Sequence, residues 1–342
     1  MTKDIKEFGA KELGNILEHD IGFPKYHARQ IFSWIYQKKA QGFSAMTDLP
    51  LALRRALGEG FYILGAKLRN LRKSSDGTVK LLIELADGNL VEAVSIPARG
   101  RITGCISSQA GCKYSCAFCA SGVLGFKRSL SVSEMLDQML YLNNSGRIGN
   151  VVLMGTGEPF DNYDNVLKFI RTIHSKDTFG IGSRHITISS CGIVPGIERL
   201  AGEDMQLELS ISLHAADERT RSRIMPVNIK YPLSWLIPAC RKYADKTNRQ
   251  VTFEYLLVKD LNSSLQNAQN LVKLLKGFRL AKVNIIPANP VPELGVEPPA
   301  QKDAALFAEI LKSGGLNFTI RRPRGRDIEA ACGQLRLSHA KK

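Results

Sequence analysis

Cys112, Cys116 and Cys119 fall within the stretch GCKYSCAFCASG at C-x3-C-x2-C spacing. In a reducing compartment, clustered cysteines are metal ligands or catalysts before they are disulfides. Three thiolates this close can converge on one inorganic centre. A structural zinc closes its sphere with four ligands, and the next cysteine, Cys105, lies seven residues upstream on a strand-like run. A four-iron cube normally takes four thiolates; given three, it keeps one iron open for a small molecule. Zinc stays the alternative on spacing alone. Phe118, directly before the third cysteine, can shield such a centre from water.

Other groups capable of chemistry sit at the ends of apolar runs. GTGEP follows NVVLM, SSCG follows RHITI, SLHA follows LELSI, and PANP follows AKVNII. Gly155 and Gly157 let backbone approach a ligand closely. Glu158 can accept hydrogen bonds from a cationic amino group.

The elements that must hold these groups alternate. From about residue 100, the strand-like runs are RITGCISSQ, NVVLMGTG, RHITISSCG, LELSISLHA, VTFEYLLVKD and AKVNIIPANP. Amphipathic helical stretches such as SVSEMLDQMLYLNN and LQNAQNLVKLLKGF separate them. Six β-then-α units imply a parallel sheet with right-handed crossovers, and in a barrel-type sheet the chemistry gathers at the C-terminal strand ends. A doubly wound open sheet is the structural alternative, without a glycine-rich dinucleotide loop to recommend it. The expected class is α/β, a partial (β/α)6 TIM-like barrel over residues 99–342. Residues 1–60 read as a small helical accessory domain, with Thr47 and Asp48 as a cap and Pro50 early in a helix. Residues 61–98 read as a β-hairpin or meander with turns at SSDG and ADGN.

The chain has 342 residues and a net charge of +15, which favours a polyanionic partner, most simply RNA or another nucleic acid. Residues 318–342 carry seven Lys/Arg against two Asp/Glu, whereas 1–60 carry nine against seven. No run of eighteen apolar residues suggests a membrane span, and the polar N-terminus points to a cytoplasmic protein.

Taken together, SSQAGCKYSCAFCASG, GTGEP, SISLHAADERTRSRIMPVN, FEYLLVKDLN and DIEAACGQL resemble the RlmN/Cfr family of radical S-adenosylmethionine (SAM) RNA adenine methyltransferases, from HARQIFSWIY to Cys332. The resemblance implies that Cys112, Cys116 and Cys119 hold a [4Fe-4S] cluster. It implies that Gly157, Glu158, Ser189, Ser212, Leu213, His214 and Asn289 bind SAM, two molecules being used per turnover. Cys332 matches the residue that accepts a methyl group, and Cys105 the one that attacks the Cys332 sulfur to release product, leaving a disulfide for reduction. Glu92 matches the family's base. RNA is the implied partner (23S rRNA, and tRNA besides), with an electron donor such as flavodoxin or ferredoxin. C2 of adenine is the expected target; C8 of the same nucleotide and a non-enzymatic RNA-binding metalloprotein are the alternatives. Arg321, Arg322, Arg324 and Arg326 are candidate phosphate contacts. Thr156, Cys191 and Ala288 depart from the family pattern, and Cys191 and Cys240 are read as inert buried thiols.

Overall fold

A computed structural model describes residues 2–98, 100–119, 122, 125–289, 295–321 and 324–328. Its frame is one ten-stranded sheet whose strands lie side by side in chain order. They are β1 (Lys67–Lys73), β2 (Val79–Glu84), β3 (Leu90–Ala98), β4 (Arg101–Cys105), β5 (Asn150–Leu153), β6 (Ile186–Ser190), β7 (Glu208–Ser212), β8 (Val251–Leu257), β9 (Ala281–Pro287) and β10 (Phe318–Ile320). β1 to β4 form an antiparallel meander. β4 to β10 are parallel throughout. The six expected strands are therefore followed by a seventh, β10, paired to β9 at Val283↔Phe318 and Ile285↔Ile320. Its three half-exposed residues are too few to show a period.

Three short helices precede the sheet: α1 (Ala10–Ile16), α2 (His27–Phe32) and α3 (Leu51–Gly60). Pro50 is the residue capping α3 rather than one inside it, with extended backbone at φ −52° and ψ 141°. The crossovers are α4 (Val132–Asn143), α5 (Tyr163–His174), α6 (Val194–Leu200), α7 (Glu218–Ile224), α8 (Leu233–Thr247), α9 (Leu265–Leu275) and α10 (Gln301–Ser313). α4 starts on a capping box in which Ser131 Oγ accepts from Glu134 N–H and Glu134 accepts from Ser131 N–H.

Helices cover one face of the parallel strands. There Ile186, Ile188, Leu209, Ile211, Val251, Phe253, Val283 and Ile285 are buried against them. On the opposite face polar pairs meet, Ser189 opposite Ser210, Ser212 opposite Glu254, and Glu254 opposite Asn284, with the apolar pair Leu256 and Ile286 at the strand ends. A wholly buried parallel sheet would give continuous apolar strands. This one alternates, setting polar side chains among apolar ones along its inside.

Candidate active site

A cavity of about 180 Å³ opens at the C-terminal ends of β5 to β9. Cys112, Cys116 and Cys119 line one side of it; Gly157, Glu158, Ser189, Ser212 and His214 line the other. These residues come from four separate segments, so the sheet rather than local sequence assembles them.

The cysteine loop leaves β4 and is tied back at three points. Ala117 N–H donates to the Ile224 carbonyl at the end of α7 (2.9 Å), and Cys119 N–H to the Cys116 carbonyl (3.0 Å). Gly122 N–H donates to the Cys119 carbonyl (3.1 Å). Burial pushes the Cys112 thiol up to about 11, and the neighbouring Cys119 adds to the rise. Cys116 is raised further by burial, again with both partner thiols contributing. Among the described residues, no three His, Cys, Asp or Glu side chains converge on a point able to hold one metal ion. The donor set, three thiols without a nitrogen or oxygen ligand, has the chemistry of a [4Fe-4S] cluster that leaves one iron to another ligand.

Glu158 is pinned across the cavity. Its Oε1 accepts from Phe160 N–H (3.0 Å) and its Oε2 from Cys191 N–H (2.7 Å). Burial raises its pKa and these two N–H groups oppose the rise. Each oxygen keeps lone-pair capacity for a further donor. Gly157 has φ +105°, and a Cβ there would lie 2.8 Å from Gln109 N. The glycine requirement at 157 therefore comes first from packing on the strand-loop 107–109.

His214, at φ +54°, accepts the Leu256 N–H on Nδ1 (3.0 Å), which leaves the proton on Nε2. Burial, with a smaller push from Arg221, pulls its pKa down to about 3, so it is a neutral donor. Phe118 stands edge-on to its ring with centroids 4.7 Å apart, joining the cysteine loop to β7. Leu213 and Asn289 are buried beside the cavity without being among its lining residues.

Cys105 and Glu92 sit on the neighbouring sheet face. The register places Cys105 opposite Val94 and Glu92 opposite Leu82, all on one side of the meander. Cys105 packs with Val94 and with Ile328 of the C-terminal segment, against Val152 and Met154; Met154 also lines the cavity. Glu92 is fully buried, with Lys80 Nζ 3.1 Å from its Oε1. The segment carrying Ile328 is held to the SSDG turn: Asp327 accepts from Ser74 Oγ (2.5 Å) and Ser75 N–H (3.0 Å), and Asp76 accepts from Gly325 N–H (3.0 Å). Cys332 lies outside the described residues, as does its pairing with Cys105; no disulfide joins two described cysteines. Of the four arginines, Arg321 lines the cavity and Arg324 lies 3.9 Å from Asp76. Arg322 and the Arg326 side chain lie outside the description.

Sequence reading missed three features of this region. Cys191 lines the cavity instead of lying inert, and its backbone holds Glu158. Cys240 is the fully buried one. Glu254 is a second cavity carboxylate, bonded by Ser210 Oγ (2.9 Å) and Asn284 Nδ2 (2.7 Å) and raised by burial. A charge between Phe253 and Tyr255 in a strand was the available signal. Lys80 could not be found from sequence, because its partner lies on the next strand.

Residues 3–63 match the ribosomal RNA large subunit methyltransferase N-terminal domain, and residues 106–275 match the radical SAM superfamily. A probable dual-specificity RNA methyltransferase RlmN of Thermoanaerobacter sp. (strain X514) is 47% identical over 340 residues, 99% of each chain. One of that name from Clostridium novyi (strain NT) is 44% identical over 98% of each. The crystal structure of a radical SAM methyltransferase from Sphaerobacter thermophilus superposes with a TM-score of 0.94 at 40% identity, covering 97% of this chain and 98% of that one. Identity of this order over nearly the full length, on top of the cavity just described, makes the chain a member of the RlmN family of radical SAM methyltransferases.

Proposed function

We propose that this protein methylates C2 of adenine in RNA, 23S rRNA and tRNA both serving as substrate, through a methyl group carried on Cys332. The observation that carries this reading is the meeting of two sites. The cavity of Cys112, Cys116 and Cys119 shares Met154 with the face on which Cys105 packs. Ile328 packs on Cys105, and Cys332 follows four residues later, a reach of at most about 14 Å.

The ring carbon C2 is a poor nucleophile, so displacement on a sulfonium methyl has little driving force there. A [4Fe-4S] cluster and SAM, when bound, supply one-electron chemistry that avoids this obstacle. Cys112, Cys116 and Cys119 would hold the cluster, leaving one iron to the SAM amino and carboxylate groups. Glu158 would accept from the amino group, with Gly157, Ser189, Ser212, Leu213, His214 and Asn289 completing the SAM site. His214 has a donor, not a charge, to offer.

Glu92 would take the proton from the substituted ring carbon, and Lys80 beside it favours the carboxylate form that accepts a proton. Cys105, as thiolate, would then attack the Cys332 sulfur. The carbon–sulfur bond breaks, its electron pair stays with the methyl carbon and is protonated, and a Cys105–Cys332 disulfide remains for reduction. Splitting a difficult transfer into covalent stages is the logic of nucleophilic catalysis.

The division of labour follows the order of elements: residues 1–60 as an RNA-gripping accessory unit, 61–98 as the strand extension bearing Glu92, and 99–342 as the barrel. A net charge of +15 supports RNA as the partner, and an unstacked or bulged adenine reaches such a recess at least cost. No described helix is long and apolar enough to cross a membrane; the cytoplasm and a flavodoxin- or ferredoxin-type donor are part of the proposal.

The test is an anaerobic assay with SAM and reductant on rRNA and tRNA separately, with nucleosides read by mass spectrometry. 2-Methyladenosine is expected from both. 8-Methyladenosine, or no product from iron-loaded protein, overturns the reading. Cys332→Ala should abolish product, and Cys105→Ala should leave RNA covalently bound to protein on a denaturing gel.

A further inference from the structure

Arg221 is among the largest fully buried side chains of the protein, with no exposed surface. Its Nε donates to the Leu213 carbonyl (3.1 Å), Nη1 to Asn228 Oδ1 (2.7 Å), and Nη2 to the carbonyls of Cys191 (2.8 Å) and Ser212 (3.2 Å). All four acceptors are neutral. The nearest acid along the network is Glu218, one residue removed, whose Oε2 accepts from Asn228 Nδ2 (2.7 Å). A guanidinium taken out of water costs several kcal/mol unless opposite charge meets it. Hydrogen bonds to carbonyls satisfy its donors but leave the net charge in place.

The location of that charge is informative. Arg221 lies one turn before Ile224, whose carbonyl receives Ala117 N–H from the middle of the cysteine loop. Its Nη2 is bonded to the carbonyl of Cys191, which lines the same cavity as the thiols. Gly192, at φ +109°, keeps the space open, since a Cβ there would come within 3.2 Å of Nη2. Backbone at the ends of β6 and β7, with the Asn228 side chain, is thus built around a cation that lies behind Cys191 and Ser212 of the cavity lining.

We infer that Arg221 is the fixed counter-charge of the iron–sulfur centre, setting its reduction potential from beneath the cysteine loop. The inference rests on the reading above. A four-iron cluster with three thiolate ligands is net negative, and gaining an electron makes it more so. A buried positive charge close by stabilises the reduced form more than the oxidised one, because the low dielectric leaves the interaction unscreened. Arg221 is therefore a positioning residue in the electrostatic sense: it is not among the residues that line the cavity, and it acts through the field it imposes.

The experiment is a redox titration of the anaerobically reconstituted full chain with dithionite and mediators, followed by electron paramagnetic resonance, with iron quantified in each sample. Arg221→Gln should bind iron and show a potential shifted to more negative values. Arg221→Lys, which keeps the charge, should recover most of that shift. Glu218→Gln, which removes the partial compensation while keeping the Asn228 bond, should move the potential the other way and by less. This last variant decides the matter if Arg221→Gln does not fold. Equal potentials in wild type and both charge-changing variants, at full iron content, overturn the inference and leave the proposed function standing. Wild-type protein that takes up no iron overturns the proposed function itself.

Discussion

Among the described residues two cations, Lys6 and Arg221, are fully buried, and the protein treats them differently. Lys6 sits where the N-terminal segment, the 63–66 connection and α4 meet. Its Nζ donates to both oxygens of Asp4 (2.8 and 2.9 Å), lies 3.1 Å from Asp137 Oδ1, and reaches the Ile63 carbonyl. Asp137 in turn accepts from Gly65 N–H (3.2 Å) and Ala66 N–H (3.0 Å). Here the protein supplies more negative charge than positive, and the cluster needs nothing from outside. Arg221 meets only neutral acceptors. A cation compensated by its own chain welds segments together; one left with carbonyls is placed for charge that arrives with a ligand.

The comparison can be broken in three ways. The largest effect should come from Lys6→Met, which strands two buried carboxylates and should cost about 3–5 kcal/mol of unfolding free energy. Denaturant titration should give the same loss with and without iron, because the junction is far from the cysteine loop in the chain and its charges are internal. A smaller effect is expected from Arg221→Met in iron-free protein. Removing the cation relieves an uncompensated charge while orphaning the carbonyls of Cys191, Ser212 and Leu213, for a net loss of about 1–2 kcal/mol. The sharper readout is the gap between loaded and iron-free stability, which should narrow in Arg221→Met and stay unchanged in Lys6→Met.

The smallest effect concerns pH. Burial lifts the Asp137 carboxyl from the ordinary value of 3.8 to about 6, against the opposing pull of Lys6. The folded chain then holds this proton more tightly than the unfolded chain does. Its contribution to stability is complete below pH 3.8 and is lost as pH rises through about 6. Asp137→Asn should remove that component of the slope of stability against pH between about 4 and 6; an unaltered slope would show that the carboxyl does not titrate there.

Much of the architecture was legible because the β/α alternation is strongly written. α5 and α9 carry clear apolar faces, ending at Ile173 and Leu275, and the strands between them end in glycine or polar residues. β10 was missed because three residues at a sheet edge carry no period. The polar inner face of the sheet was visible only as single serines and Glu254, each ordinary alone. The Lys80–Glu92 pair and the contact between Cys105 and Ile328 join residues 12 and 223 positions apart, through strand register and through a latch at the SSDG turn.

By itself the sequence determined which thiols are neighbours, because Cys112, Cys116 and Cys119 lie within eight residues and any fold that closes this loop keeps them together. It determined also that a parallel sheet would carry the loop, through the order of its strands and helices. Only the tertiary structure decided what surrounds those thiols: a pinned Glu158, a neutral His214, a buried carboxylate at Glu254 and an uncompensated cation at Arg221. Ligand identity is a property of side chains close in the chain. The field at the site is a sum over charges and dipoles that packing alone brings near, and no local pattern encodes it.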